Sequence, residues 1–394
     1  MLALVAVAVW VVYYAALVRL MFSELHMNDF GKFYYSARMF LDGQDMYGPS
    51  PATAIALNAD ETRQFWNMNP PHFHLALLPF ALLTPALALA AWAAASGLGA
   101  AVSARMIARE LGVRWSARAV FWLIVVAVLS AATGTVVATG QVTFLLLPLV
   151  TAAWVSARRG SWGRAAVLLG VLASVKPFVG IFGIYLLATK RHRPFVQLVA
   201  AAGTCFGVGL LAFGPAAHSS WLRALGAVDW ASAPMNASVT GVLSRTIAPS
   251  PFFRPLIEAP DLVQPLALTA SITVGALALW LLIRDRSGEA VDRAFFALLL
   301  TAQLVSPLGW IYYLWLAAGP AVALWRSSHS RPSDTRTRLL WLSAPGFFCP
   351  LLLTLAFSSE RWAGVTVGSV YGWSTLLLWS AFVADWSARR RLPA

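Results

Sequence analysis

The first polar segment of the chain opens with Met27-Asn28-Asp29-Phe30-Gly31-Lys32-Phe33-Tyr34-Tyr35-Ser36-Ala37-Arg38. It follows an apolar run over residues 2–22, so the carboxylate of Asp29 falls just outside a hydrophobic helix. A carboxylate at a membrane surface can act as a general base. It can equally cap a helix that begins at Phe30, because Asp and Asn are favoured cap residues. Nearly everything after this segment is apolar, so the fold depends on how the later helices surround it.

Composition places the chain among integral membrane proteins. Hydrophobic residues make up 59% of the 394 residues and charged residues only 11%, whereas soluble domains carry about 25% charged residues. A span needs roughly 20 apolar residues, and the apolar runs allow about twelve crossings. We predict an all-α polytopic protein with one membrane domain over residues 1–394. Two long polar segments, at about 23–70 and 214–264, interrupt it.

The two cysteines, Cys205 and Cys349, both lie in apolar runs. They indicate neither a disulfide framework nor a metal site. The run before Ser23 lacks a basic start and a small-residue cleavage site, so we interpret it as a retained first span.

Basic residues cluster at six connections between apolar runs. These connections lie at about 105–118, 158–164, 190–193, 284–293, 326–338 and 389–391. Together they hold 20 of the 29 basic residues and account for all of the net charge of +13, which is typical of cytoplasmic loops. The charge is therefore a topology signal, and it excludes nucleic acid as a partner. We predict a multi-pass plasma-membrane protein with cytoplasmic termini.

This topology requires a break at Lys176-Pro177, where proline would interrupt a helix. It also brings the two long polar segments, Gln141, Lys176 and the Ser306-Pro307 turn to the outer face. Lys176 falls between two apolar runs, and an ionisable residue at membrane depth is costly and usually functional. Its natural partner is an anionic lipid phosphate, although the side chain can also simply extend to the surface.

The sequence allows more than one role for the other polar residues of the outer face. Arg245 is a further phosphate candidate. His72 and His74 are two residues apart, so they point apart and do not suit a metal, but either can donate to a phosphate or to Asp29. Gln141 can bind a sugar hydroxyl, or it can form hydrogen bonds with the backbone groups of its own turn.

Aromatic residues near the same face can stack on a sugar or a lipid, or can serve only as interfacial anchors. These are Tyr34, Tyr35, Trp310 and Tyr312. Asn236 formally begins a glycosylation sequon, but nothing else in the chain indicates that context.

An ordered set of short motifs runs through most of the chain. The motifs are Asp29-Phe30, Tyr34-Tyr35, Ala37, Leu41-Asp42-Gly43, Tyr47, Pro49, Asn69-Pro70-Pro71, Gly140-Gln141, Lys176-Pro177, Asn236, Ser238, Gly241, Ser306-Pro307, Trp310 and Tyr312. Each is weak alone, but the set resembles the family 87 glycosyltransferases of the GT-C superfamily. That resemblance implies a multispan enzyme that takes a sugar from a polyprenyl-phosphate carrier on the outer face. Members include actinobacterial α-1,2-mannosyltransferases and an arabinofuranosyltransferase.

The resemblance also implies site roles. Asp29 would be the base of an inverting single displacement, and Lys176, then Arg245, His72 or His74, would hold the donor phosphate without a metal. The substrate would be lined by Tyr34, Tyr35, Asn69, Gln141, Asn236, Trp310 and Tyr312. No cofactor is implied. Relatives often carry a histidine after the Ser-Pro turn, and this chain instead has Trp310-Ile311-Tyr312.

We therefore expect a mannosyltransferase whose partners are a lipid-linked sugar, a glycolipid or glycan acceptor and membrane lipids. An arabinosyl donor is the second interpretation, and the sequence does not separate pentose from hexose. A lipid or sugar transporter is a different class. It predicts charges deep within spans and an internal repeat, and the sequence shows neither. In a non-catalytic membrane protein, Asp29 would be only a helix cap.

Overall fold

The computed structural model describes residues 2–23, 28–56, 62–227, 230–327 and 334–389. These residues form mainly α-helices joined by 3₁₀ turns, as predicted. The first polar segment also contains a short antiparallel ladder, which the sequence did not predict. In it β1 (Ala54–Ala56) pairs with β2 (Thr62–Gln64), and Ile55 lies opposite Arg63. The parts of that segment at residues 24–27 and 57–61 lie outside the described residues.

The helices follow one another along the chain with few long connections. The first eight are α1 (Leu2–Ser23), α2 (Asn28–Leu41), α3 (Leu78–Ala81), α4 (Pro85–Glu110), α5 (Ala117–Leu129), α6 (Ala131–Thr139), α7 (Thr143–Arg158) and α8 (Trp162–Val175). The next eight are α9 (Ile181–Ala188), α10 (His192–Gly226), α11 (Val239–Ile247), α12 (Val263–Ile283), α13 (Ala290–Val305), α14 (Ala318–Ser327), α15 (Asp334–Phe348) and α16 (Val370–Arg389). The 3₁₀ turns are Pro71–Ala76, Pro177–Gly180, Pro260–Leu262, Ile311–Ala317, Leu351–Leu355 and Val367–Ser369.

Few of these helices are long enough to cross a bilayer alone. Among the described residues four qualify by length and composition, at Pro85–Glu110, His192–Gly226, Pro260–Ile283 and Val367–Ala384. A fifth is possible if α5 and α6 form one span, which bends by 64°. The structure therefore supports a membrane protein but does not confirm about twelve spans. The difference arises because many apolar runs break into short helices.

Two breaks illustrate the difference. The break predicted at Lys176-Pro177 is confirmed, because α8 ends at Val175 and a 3₁₀ turn begins at Pro177. The apolar run at 119–139 does not form one straight helix, because the chain bends at Ser130 between α5 and α6. In α10 the backbone kinks at Gly214, whose φ is 74°, and helix continues to Gly226. The predicted second polar segment therefore begins as helix.

Helix α13 forms the centre of the bundle. Its side chains are buried without interruption from Asp292 to Leu304. A helix buried on all sides must be surrounded by others, and α13 contacts α7, α12, α14 and α16.

Ion pairs join the start of α13 to neighbouring helices. Asp292 accepts hydrogen bonds from Arg158 (2.7 Å) and from the indole of Trp154 (2.8 Å). Glu110 pairs with Arg158 and Arg159. Three of the six basic connections therefore meet at one end of the bundle, which we call the basic end. Since α7 runs from Thr143 to Arg158, its opposite end lies about 24 Å away.

Gly140 connects that opposite end, the site end, to the first polar segment. Its φ is 66°, a left-handed conformation that suits glycine and ends α6. A Cβ atom placed on Gly140 would lie 2.5 Å from the Cβ of Phe30. The carbonyl of Gly140 accepts a hydrogen bond from Trp92 Nε1 (2.8 Å). The α6–α7 turn is thus held tightly against α2.

Gly140→Ala should lower thermal stability because it adds both backbone strain and a clash with Phe30, together about 1–3 kcal/mol. The apparent melting temperature in detergent measures this. Gly160→Ala is the matched control, since Gly160 also has a positive φ but has no atom within 4 Å of the place that a Cβ would take. Equal losses in the two variants would contradict the close packing of Gly140 on Phe30.

Candidate active site

Asp29 lies in the first turn of α2, one residue after the helix begins. An acidic residue is favourable there because the helix dipole is positive at that end. The next residue, Phe30, is completely buried and packs its ring 5.4 Å from that of Trp92. This packing fixes the start of α2 against α4. The carboxylate of Asp29 remains 22% exposed.

Two side chains bind the carboxylate of Asp29. Lys32 Nζ lies 2.7 Å from Oδ1, one helical turn away, and Gln141 Nε2 donates a hydrogen bond to Oδ2. The side chain of Asp29 therefore contacts one residue of its own helix and one distant residue, and Asp29 lies within α2 rather than before it.

Gln141 follows Gly140 directly, and its side chain is buried. Its Nε2 is occupied by Asp29, whereas its Oε1 has no hydrogen-bond partner among the described residues. An unpaired buried oxygen is costly. It is therefore available to accept a hydrogen bond from a substrate hydroxyl.

Lys176 lies in the break between α8 and the next 3₁₀ turn. Its Nζ donates to Asn69 Oδ1 (3.0 Å) and lies 5.6 Å from the ring centre of Tyr313. Burial lowers the pKa of the Lys176 ammonium to about 8, and the Asp29 carboxylate opposes this change. The same carboxylate raises the pKa of Tyr313, where burial is the larger cause. Asp29, Lys176 and Tyr313 therefore lie within electrostatic reach of one another.

Asn67 organises the polar groups around Asn69, and it was not predicted from the sequence. Its Nδ2 donates to Ser36 Oγ (2.8 Å) and to His74 Nε2 (2.7 Å), and its Oδ1 accepts from the backbone N–H of Asn69 (3.0 Å). Tyr47 completes the network by donating to the carbonyl of Asn69 (2.6 Å). The sequence does contain a signal for this network, since Asn67 and Asn69 are separated by one residue and directly precede two prolines.

The two histidines have separate positions. His74 is fully buried within the Asn67 network, and burial lowers its pKa to about 3. His72 bonds to Ser174 Oγ (3.1 Å), and burial, with a smaller effect of His218, lowers its pKa to about 4. Both are therefore neutral near pH 7. Neither therefore brings a positive charge to the site, and the predicted hydrogen bond from one of them to the donor phosphate stays a prediction.

Arg245 is completely buried and its donors are directed inward. It donates to Ser369 Oγ (3.0 Å) and to the carbonyls of Ala233 (2.7 Å) and Asn236 (2.9 Å). A buried charge needs such partners. The arrangement favours a structural role in the second polar segment, with Lys176 as the better placed phosphate candidate.

Asn236 joins the second polar segment to the Ser306-Pro307 turn. Its Nδ2 donates to the carbonyl of Pro307 (2.9 Å), and its Oδ1 accepts from the N–H of Gly309 (2.9 Å). An isolated bridge also pairs Asn236 with Trp310. The predicted substrate contact at Asn236 is thus occupied by internal bonds.

The predicted aromatic residues form two groups. Trp310 stacks on Tyr312 at 6.3 Å, and Tyr312 meets Tyr313 edge to face at 4.7 Å. Of these three rings, that of Tyr313 lies over the Lys176 ammonium. Tyr34 is buried and donates to the carbonyl of Leu83 (2.8 Å), with Tyr35 packed against it. The first group borders the site, whereas Tyr34 anchors α2 to the start of α4.

An apolar cavity of about 390 Å³ adjoins the site. Its walls are mainly α4 and α6, and Gln141 forms part of its surface. Asp29 therefore directly contacts a residue of the cavity wall. This cavity lies between helices and not between the two long polar segments. A second cavity of about 390 Å³ lies among α5, α13, α14, α15 and α16, and it includes Arg293 of the basic end.

Within the described residues, no group of three His, Cys, Asp or Glu side chains is arranged to hold a metal ion. Metal independence and the absence of a cofactor stay predictions.

The sequence of the chain is similar to that of a known mannosyltransferase. It is 28% identical over 265 residues to a polyprenol-phosphate-mannose-dependent alpha-(1-2)-phosphatidylinositol pentamannoside mannosyltransferase of Mycolicibacterium smegmatis. The alignment covers 62% of this chain and 59% of that protein, so the chain spans less than two thirds of the relative's length. No solved structure matches the chain.

A family model gives the broader assignment. The model of glycosyltransferase family 87 matches residues 67–307, which is more than half of the chain. The match includes Asn69, Gln141 and Lys176 and begins after Asp29. The structure connects the two parts, because Gln141 lies inside the matched region and binds Asp29. The chain belongs to glycosyltransferase family 87, a membrane family with a polyprenol-phosphate-mannose-dependent relative.

Proposed function

We propose that the chain transfers mannose from a polyprenyl-phosphate carrier to a hydroxyl group of a glycolipid or glycan. The observation that carries this proposal is the carboxylate of Asp29, held by Gln141 beside an apolar cavity and close to two lysines. A base, cations for a phosphate and space for a hydrocarbon chain are what such a reaction needs. The donor in the relative's name favours mannose over arabinose.

The proposed reaction is a single displacement with inversion. Asp29 removes the proton from the acceptor hydroxyl as its oxygen attacks the anomeric carbon. The bond from that carbon to the phosphate oxygen breaks, and the polyprenyl phosphate leaves with the electron pair. Gln141 keeps Asp29 oriented through Nε2 and accepts a substrate hydroxyl at Oε1. Such positioning is a major part of enzymatic rate enhancement.

Lys176 is our proposed partner for the donor phosphate. Its ammonium is already held at the site by Asn69 and by the ring of Tyr313. A preorganised cation stabilises the charge that develops on the leaving group. We further propose that the cavity beside Gln141 receives part of the isoprenoid chain, because its walls are almost entirely apolar side chains such as Leu89, Trp92 and Phe144.

Asp29→Asn should keep the fold and lower kcat by roughly a hundredfold to ten-thousandfold, the usual contribution of a general base. The assay is transfer of radiolabelled sugar from synthetic polyprenyl-phosphate-mannose, with polyprenyl-phosphate-arabinose run in parallel. Asp42→Asn is the control, since Asp42 is an exposed carboxylate paired with Arg38.

A folded Asp29→Asn variant with normal transfer would exclude Asp29 as the base and favour a cap role. Transfer from arabinose alone would replace the donor assignment. A folded wild-type protein that transfers neither sugar would favour another donor, or a transporter.

Donor binding should weaken as the pH rises through about 8. Burial lowers the pKa of Lys176 to about 8 from its usual 10.5, so the ammonium is present below that pH and is lost above it. We expect kcat/KM for the donor to fall by roughly tenfold per unit at higher pH. In Lys176→Arg the guanidinium stays charged, so this decline should disappear even if overall activity is lower. An unchanged pH profile in that variant would remove Lys176 from phosphate binding.

The site end should face the cell exterior and the basic end the cytoplasm, by the charge rule for loops. Single cysteines can test this in a background without Cys205 and Cys349. Gln44→Cys lies on the exposed turn after α2, and Ser161→Cys lies on the exposed turn between α7 and α8. In intact cells a membrane-impermeant thiol reagent should label the first and not the second. Labelling of Ser161→Cys alone would reverse the orientation.

A further inference from the structure

The proposed reaction assigns no step to Lys32, although this lysine contacts the proposed base. Its ammonium lies 2.7 Å from Asp29 Oδ1 and 5.7 Å from the ring centre of Phe65. Its side chain is only 12% exposed. A lysine that contacts the base of a reaction must respond when that base takes up a proton.

The charges at the site change during transfer in a defined way. Before transfer the site would hold two anions, the Asp29 carboxylate and the donor phosphodiester, against the cations Lys32 and Lys176. During transfer Asp29 becomes neutral by accepting the hydroxyl proton. The leaving polyprenyl phosphate keeps the electron pair of the broken bond, so it becomes a monoester with one more negative charge. The total charge is unchanged, but one negative charge has moved from Asp29 to the phosphate.

Partly buried charges are stable only when they have partners. If Lys32 stayed beside neutral Asp29, the new phosphate charge would lack one partner. A lysine suits a change of partner, because its ammonium is a point charge on a flexible stem. Asp29 would keep its place meanwhile, since Gln141 holds its other oxygen.

We propose that Lys32 exchanges partners in the reaction, pairing with Asp29 before transfer and with the leaving phosphate afterwards. This inference rests on the proposed function. It makes Lys32 a second phosphate ligand beside Lys176, whose contribution appears only as Asp29 is neutralised.

The Asp29→Asn variant imitates the neutral state of the base and isolates this role. The probe is polyprenyl phosphate, with its Kd measured by calorimetry in detergent. We expect Asp29→Asn to bind the probe at least as tightly as the wild type. Adding Lys32→Gln should then raise the Kd by roughly tenfold to a hundredfold, the range for a lost charged hydrogen bond. Adding Lys32→Arg instead should preserve most of the affinity, since the charge is kept.

Arg38→Gln in the same Asp29→Asn background is the matched control. Arg38 is a cation on the same helix, but it is exposed and pairs with Asp42, so its removal should leave the Kd unchanged. Melting temperatures establish that each variant is folded. If Lys32→Gln does not fold, Lys32→Met takes its place in the Asp29→Asn background. The proposal is then overturned if Lys32→Arg binds polyprenyl phosphate no more tightly than Lys32→Met does.

The possible failures can be told apart. If folded wild-type protein neither transfers sugar nor binds polyprenyl phosphate, the proposed function is wrong. If the wild type transfers sugar and binds the probe, but Lys32→Gln leaves the Kd in the Asp29→Asn background unchanged, only the exchange is wrong. In that case Lys32 serves to position Asp29, and Lys32→Gln in the otherwise native enzyme should lower kcat alone.

Discussion

A hydrogen bond from Gln141 to Asp29 joins side chains that are 112 residues apart, and the site is built around it. It is possible because Gly140 adopts a left-handed conformation and has no Cβ to displace Phe30. Trp92 secures the same turn through its indole N–H. The start of α2, the middle of the chain and α4 therefore meet at one point. A partly buried carboxylate needs such partners, because solvation by water is incomplete there.

Charge is balanced differently at the two ends of the bundle. At the basic end, Asp292 and Glu110 neutralise arginines within the protein. These pairs tie α4, α7 and α13 together, which is a structural use of charge. At the site end, Asp29 has Lys32 in contact and Lys176 within electrostatic reach. That arrangement leaves positive charge for an anionic ligand, so it suits a lipid phosphate better than a neutral substrate.

Short and broken helices explain why the described residues do not confirm the number of spans that composition predicts. Apolar content shows that a segment avoids water, but it does not show the direction in which the segment runs. Proline carries a local signal, since it removes a backbone donor, and the break at Pro177 could be predicted for that reason. Ser130 carries no such signal, and the bend between α5 and α6 follows from packing. The Tyr14 hydroxyl donates to the carbonyl of Val128 at this bend (2.6 Å), a contact from a distant helix.

The sequence by itself determined the membrane class, the clustering of basic connections and the break at Lys176. These features depend on composition or on neighbouring residues, so they can be recognised without coordinates. Only the tertiary structure decided the partners: Gln141 for Asp29, Asn69 for Lys176 and internal carbonyls for Arg245. It also revealed Asn67 as the centre of a polar network. Such pairings join residues far apart in the chain, and local patterns carry no information about which distant side chain will satisfy a buried polar group.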